Sequence, residues 1–309
     1  MDIKQLKSFV CAADCGSLSR AAEILHTSQP ALSLQLKNLE SHLGIELLHR
    51  HARGVTLTDL GRLFCDHARS ILSDIDRAKD IVSKQAKSPT GKVTVGLPTS
   101  ACRGVSAQLI SAVAQRYSNL SLHIIEAMTG TLDEWTQLGR LDVALLYDHK
   151  AFENVAWTEM MVEDLMLVAK SDDPIFKKRY VRFSELQTIP LVLPGVAHVL
   201  RNVIDHIGAR QGVKPNVVMD SDSLTAISQM VRNGYKTIMP HFAMREEINR
   251  GEMNAVPIIH PTPSWCMSVV VSKRTVNARS SEAVAGILAE VIHTMVKTGT
   301  WKAKLRVDS

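Results

Sequence analysis

The stretch SLSRAAEILHTSQPALSLQLKNLESHLG, Ser17 to Gly44, constrains the fold more than any other part of the chain. Two short patterns with apolar residues every three or four positions are separated only by His26-Thr27-Ser28. That periodicity predicts two amphipathic helices, and so short a link makes them cross steeply instead of running end to end. Leu32, Leu36, Leu39 and Leu43 turn one face of the second helix inward. Pro30, Ser33, Leu34 and Lys37 then fall together on the opposite side, with Gln29 at the tip. Ser17 and Ser28 are placed to cap the two helices, and Pro30 sits in a first turn where its missing N–H costs nothing. A polar helix face left uncovered in this way suits a long, grooved partner. Glutamine and serine can bond base edges, lysine can meet a phosphate, and Leu34 can touch a thymine methyl.

The flanks strengthen that reading. Upstream, Ile3, Leu6, Phe9 and Val10 form the inward stripe of a first helix that ends at Gly16. Downstream, LLHRHARGVTLT reads as two short strands around Arg53-Gly54, a wing whose tip residue Arg53 can reach a phosphate or a narrow minor groove. From Thr58 to about Lys87, the residues Leu60, Phe64, Ala68, Ile71, Ile75, Ala78 and Val82 recur close to a heptad seam. A helix of roughly 30 residues is a rod of about 45 Å, too long for a small domain to bury, so its seam is expected to pair with a second copy. An ordinary helical pair facing water shares the bare two-helix pattern; the wing and the rod are what tilt the reading towards DNA. Overall charge adds little, because residues 1–65 hold seven Lys/Arg against six Asp/Glu, and any DNA affinity must come from where the charges sit.

SPTG, Ser88–Gly91, breaks the helix, and the pattern changes after it. KVTVGLP, LSLHIIEA, DVALLYD, IPLVLP, NVVMDS and KTIMP are short β-branched runs, with helical patterns between them at 104–117, 199–211 and 223–233. Strand–helix alternation predicts parallel sheets with right-handed crossovers. The two sets, before and after about residue 165, predict two lobes with a cleft where strand ends face each other. Thr99 and Ser100 stand at the end of the first strand and the start of a helix, where N–H groups favour an anion. Met128, Thr129 and Tyr147 hold equivalent places after the next two strands. Pro194, His198 and Met239 do so from the other set. A plain helix cap by Thr99 and Ser100 is the simpler alternative.

The N-terminal residues FVCAADCGSLSRAAEILHTSQPALSLQLKNLESHLGIELLHRHARGVTLTDLG resemble the winged helix-turn-helix of LysR-type transcriptional regulators. The match runs through AAE-x-L-x-x-(S/T)QPA-x-S, LE-x-x-LG, L-x-R and G-x-x-LT-x-x-G, and covers about 60 residues densely. Further on, GKVTVGLP and EDLMLV weakly resemble the nitrogen-assimilation-control branch. The resemblance implies an all-α winged helix-turn-helix over 1–58, a linker and dimerisation helix over 59–90, and an effector domain over 91–309. That domain has two α/β lobes of periplasmic-binding-protein type, the first about 91–164 and 270–309, the second about 165–269. It also implies DNA contacts by Gln29, Pro30, Ser33, Lys37 and Arg53, with a departure at Leu34, where the family usually carries a polar residue. The cleft residues named above would hold a small effector, which we expect to carry a carboxylate, with His198 closing over it. A dimer of dimers and RNA polymerase are the implied protein partners. A solute-binding protein of the same two-lobed fold is the alternative, but it has no use for the first 87 residues.

Other chemistries find little footing. The five cysteines are scattered with no CxxC, so a reducing compartment is expected. Cys11 and Cys15 share a helix face but have no further metal ligands near them in sequence. Cys102 lies by the predicted cleft and reads as a packing residue more readily than as an oxidant sensor. There is no Gly-rich phosphate loop, no HExxH and no GxSxG, so neither an enzyme nor a cofactor is expected. No run approaches about 18 apolar residues, the length a spanning helix needs. A cytoplasmic protein without membrane contact is the expectation.

Overall fold

The computed structural model describes residues 1–51, 54–82, 89–149 and 153–306, the side chains of 76–82 excepted. Arg53, the side chains of Ala78 and Val82, and Lys87 and Ser88 therefore lie outside the described residues. The chain divides into two compact units: Met1–Lys87 with Lys273–Ala278, and Ser88–Ser272 with Arg279–Ser309.

The first unit begins with α1 (Ile3–Cys15), α2 (Leu18–Ile24) and α3 (Gln29–Leu43), followed by the hairpin β1 (Leu48–His51) and β2 (Gly54–Leu57) and by α4 (Asp59–Val82). Local signals set each boundary. Asp2 and Gln5 form a reciprocal capping box on α1, which ends at Gly16 in the left-handed conformation. The Ser17 hydroxyl accepts from Arg20 N–H and the Ser28 hydroxyl from Ala31 N–H, as the sequence predicts. Leu6, Phe9, Ala21, Ala22, Leu32, Leu36 and Leu39 make the core between the three helices. Ile3, expected in the inward stripe, is the first residue of α1 and is 46% exposed, the buried stripe beginning a turn later at Leu6.

Two further expectations are corrected here. The hairpin pairs His51 with Gly54, so Gly54 belongs to the second strand and not to the link between the two. A Cβ on Gly54 would lie 2.2 Å from the Gly16 carbonyl oxygen, so only glycine allows the hairpin to close onto the end of α1. In α4, the expected seam divides between two environments. Cys65, Ala68 and Leu72 are buried in the unit's own core, and Phe64 packs on Phe9 with ring centroids 5.3 Å apart. Leu60 (52% exposed), Leu63 (59%) and Ile71 (39%) form the apolar residue set that the core does not cover.

The second unit contains β3 (Gly91–Leu97), α5 (Thr99–Arg116), β4 (Leu120–Glu126), α6 (Thr129–Gln137), β5 (Val143–Tyr147) and β6 (Val155–Lys170). It continues with β7 (Val181–Arg182), β8 (Leu191–Leu193), α7 (Val199–Gln211), β9 (Val217–Asp220), α8 (Leu224–Arg232) and β10 (Thr237–Pro240). Last come α9 (Arg245–Asn249), β11 (Met253–Ile259), β12 (Ser264–Ser272), α10 (Ala278–Lys297) and β13 (Lys304–Leu305). Strands β4, β3 and β5 are parallel, and β8 pairs with β9 in parallel, as alternation predicts. Apart from a short parallel pairing of β7 with β11, the rest is antiparallel and was not foreseen. Strand β6 runs unbroken through residue 165 and pairs with β12 over its first part and with β10 and β11 over its last. One long strand therefore belongs to both lobes and ties them together, which makes the sheet mixed instead of parallel.

Across this tie, Arg103 of α5 donates to the Ala243 carbonyl at 3.1 Å and to Glu247 of α9 at 2.9 Å. Glu247 is buried and also accepts from the Ser228 hydroxyl at 3.3 Å. Among the described residues, no helix is long and apolar enough to cross a membrane.

Candidate functional site

Two surfaces hold the residues singled out by the sequence. On α3, Gln29, Pro30 and Lys37 are exposed, Leu34 is 59% exposed, and Ser33 is half-buried. The three leucines behind them are buried, so packing fixes which side α3 presents. Gln29 is already oriented, its amide oxygen accepting from the Ser19 hydroxyl at 3.0 Å. Ser33 is not free, since Arg50 of β1 donates to its hydroxyl oxygen at 2.9 Å and to Glu40 at 3.2 Å.

Arg50 is a residue that the sequence reading missed. Glu40 also accepts from the Leu47 and Leu48 N–H groups at 2.9 and 3.1 Å, which clamps the hairpin onto α3. The guanidinium thus sits beside the polar face of α3, a position suited to a phosphate. Its signal was the LHRH strand itself, legible only once the strand is paired.

The second surface is a cavity between the two lobes, with about 510 Å³ of empty space, its mouth included. Thr99, Ser100, Met128, Thr129, Tyr147, Pro194, His198 and Met239 all line it. Strand ends bring them together: β3, β4 and β5 deliver the first five, and β8 and β10 the others. Tyr147 is the last residue of β5 and Met239 lies within β10, so both reach the cavity from the sheet and not from a following loop. Asp222, Leu224, Ile227 and Trp265 complete walls that the sequence reading did not include.

Helices α5 and α6 start at this wall with Pro98 and Met128 as N-caps, and neither makes a side-chain cap bond. In α5 the Ala101 N–H already donates to the Pro98 carbonyl at 2.9 Å, which leaves the N–H groups of the first two helical positions to face the cavity, and the helix dipoles add positive potential there. The simpler alternative, that Thr99 and Ser100 merely cap α5, therefore fails, because the cap is Pro98. Ser100 instead shares a hydrogen bond with the Tyr147 hydroxyl at 2.8 Å. Burial, together with the Glu163 charge, raises Tyr147 well above its ordinary range, so its phenol stays protonated.

His198 Nδ1 accepts from the Leu200 N–H at 3.1 Å and so caps α7. The neutral ring keeps its proton on Nε2. Burial lowers its pKa against the opposing pull of Asp222, which makes it a neutral donor and not a cationic lid.

Behind the cavity, Tyr147 stacks on Trp265 with centroids 3.8 Å apart. Trp265 donates to Glu163 at 2.9 Å, and Trp301 donates to the other oxygen of the same carboxyl at 2.6 Å. Burial raises Glu163 to about 7 despite these two donors.

Cys11, Cys65, Cys102 and Cys266 are poorly suited to oxidant chemistry, which needs the thiolate. Burial, aided by Glu126, pushes Cys102 up to about 11, and burial also raises Cys266. Cys102 packs against the core and is not among the residues lining the cavity. Burial, with Cys15 nearby, takes Cys11 to about 11. Among the described residues, no cluster of three or more His, Cys, Asp or Glu is placed to hold a metal.

Comparison with known proteins gives consistent matches over most of the chain. Residues 3–62 match the lysR-family bacterial regulatory helix-turn-helix protein, and residues 86–292 match the LysR substrate binding domain. The chain is 29% identical to the nitrogen assimilation regulatory protein nac of Escherichia coli over 96% of its own length and 97% of that protein. Full-length OxyR from Pseudomonas aeruginosa superposes with a TM-score of 0.80 at 23% identity, covering 93% of this chain and 94% of that one. CbnR complexed with its target DNA superposes with a TM-score of 0.55 at 20% identity, covering 94% and 99%.

Proposed function

Because the chain belongs to the LysR family of bacterial transcriptional regulators, we propose that α3 reads operator DNA and that the inter-lobe cavity binds the small molecule that controls it. Gln29, Pro30, Leu34 and Lys37 meet the major groove, Lys37 taking a phosphate. Ser33 takes part once Arg50 swings to the backbone, and Arg53 contacts DNA from the wing. Leu60, Leu63 and Ile71 form the face by which two chains pair, and pairs assemble into a dimer of dimers. RNA polymerase is the further partner in this reading, and the cytoplasm the compartment.

The observation that carries the effector assignment is the convergence of all eight strand-end residues on one cavity. That cavity also receives the uncapped starts of α5 and α6. A ligand carboxylate there accepts from first-turn N–H groups and from the hydroxyl proton left over by the Ser100–Tyr147 pair. By binding two lobes at once it favours one lobe arrangement over others, and the preference of each arrangement for DNA then sets the response.

Electrophoretic mobility shifts with the DNA upstream of the protein's own gene test the first half. Lys37→Ala is expected to weaken binding to all sequences and to reduce the slope of log affinity against log salt by about 1. Absence of any binding at low salt sinks the reading. Calorimetry with small organic acids, amino acids included, on wild type and Thr99→Val tests the second half. Equal affinity in both proteins places the ligand elsewhere.

A further inference from the structure

The two walls of the inter-lobe cavity differ in electrostatic sign. The first-lobe wall consists of the starts of α5 and α6 and the Ser100–Tyr147 hydroxyl pair, in which Tyr147 is only 3% exposed. This wall offers donors and positive dipole ends. The second-lobe wall carries Asp222, whose Oδ1 accepts from the Gly195 N–H at 2.9 Å, which orients the carboxylate. Among the described residues lining the cavity there is no Lys or Arg, and Asp222 is the sole carboxylate. His198 adds no positive charge, since its Nδ1 is occupied as an acceptor.

A simple carboxylate suits the first wall but meets a like charge at the second. A simple amine has the opposite difficulty. A molecule carrying both groups a few bonds apart satisfies both walls, and each of its charges is paired with the opposite sign once water is displaced.

We propose that the effector is a small zwitterion of the α-amino-acid type, its carboxylate against the starts of α5 and α6 and its ammonium against Asp222. Leu224, Ile227 and Met239 supply the apolar wall for a short side chain. The inference rests on the reading of this cavity as the effector site, and it makes Asp222 the specificity-determining residue.

The test is calorimetry on the full chain with the twenty proteinogenic L-amino acids, each tested singly. For every binder, the matched acid without its amino group and the matched amine without its carboxyl group are run beside it. At least one amino acid is expected to bind, and removing either charged group weakens binding at least tenfold. Asp222→Asn keeps the acceptor for Gly195 N–H while removing the charge. It is expected to weaken the amino acid at least tenfold and to narrow its advantage over the plain acid. The ligand comparison needs no variant, so it stands even if this substitution destabilises the chain.

If no amino acid binds, or if the plain acid binds wild type as tightly as its amino counterpart, the proposal is overturned. Unchanged affinity in Asp222→Asn overturns it too. Thr129→Phe, which fills the cavity, separates the two levels. Binding that survives it refutes the cavity as the site, whereas loss there together with indifference to Asp222 refutes only the zwitterion.

Discussion

Replacing Glu163 by glutamine probes the buried carboxyl that holds Trp265 against the cavity. Burial raises the folded pKa of Glu163 from 4.5 to about 7, although two indole N–H groups and no cation face it. Between those values the folded chain holds a proton that the unfolded chain has released, so stability falls as pH rises through the window. At about 1.4 kcal/mol per pH unit, the penalty is almost absent near pH 4 and reaches about 3 kcal/mol by pH 8. Between pH 5 and 8 the loss is about 2.5 kcal/mol on the same linkage. Glutamine does not titrate. Its carbonyl oxygen serves one indole, but its amide nitrogen faces the other donor, which costs about 1–3 kcal/mol for an unpaired buried N–H.

Glu163→Gln is therefore expected to be less stable than wild type at pH 5 and level with it, or more stable, at pH 8. Urea unfolding followed by tryptophan fluorescence at several pH values measures this. All four tryptophans (Trp135, Trp157, Trp265 and Trp301) lie in the second unit, so the signal reports that unit alone. Histidines and other carboxylates titrate in both proteins and cancel in the difference. Two stability curves that stay parallel from pH 5 to 8 would refute the reasoning, because they would mean that Glu163 is ionised throughout.

Gly54→Ala puts a methyl 2.2 Å from the Gly16 carbonyl oxygen at a φ of +139°. The strained backbone alone costs about 1–3 kcal/mol, so far-UV circular dichroism should show the first unit melting earlier while tryptophan fluorescence is unmoved. Arg103→Ala strands the buried carboxylate of Glu247. A loss of about 2–3 kcal/mol in the tryptophan-monitored transition is expected, with part of it recovered in the double variant Arg103→Ala/Glu247→Gln; an additive double variant would mean the two groups do not interact. Ile71→Glu places a charge on the uncovered face of α4 without entering the core. Sedimentation should show the assembly dissociating and operator affinity falling with it, because two linked half-sites gain from effective concentration.

Much of this molecule was legible because much of it is local. The caps at Ser17 and Ser28 act within three residues, and the leucine stripe of α3 acts across single turns, so sequence neighbours encode both. Strand-end positions such as Thr99, Thr129 and Tyr147 could be read for the same reason, since a parallel strand followed by a helix is a local pattern. The sequence by itself thus determined the helix-turn-helix, the strand–helix alternation and the eight positions that come to line the cavity.

Tertiary structure decided the rest. Arg50 becomes part of the α3 surface only when the hairpin folds back 17 residues onto Ser33. Glu163 meets indoles 102 and 138 residues away, and no periodicity in EDLMLV announces that one carboxyl will be buried between them. Strand β6 looked like a lobe boundary because its neighbours, β10, β11 and β12, come from far along the chain. Antiparallel pairing at such separations leaves no local mark: it depends on which faces remain uncovered after the helices have packed. The division of α4 between core and uncovered face was settled in the same way, since a heptad of apolar residues says that they are to be buried but not against what.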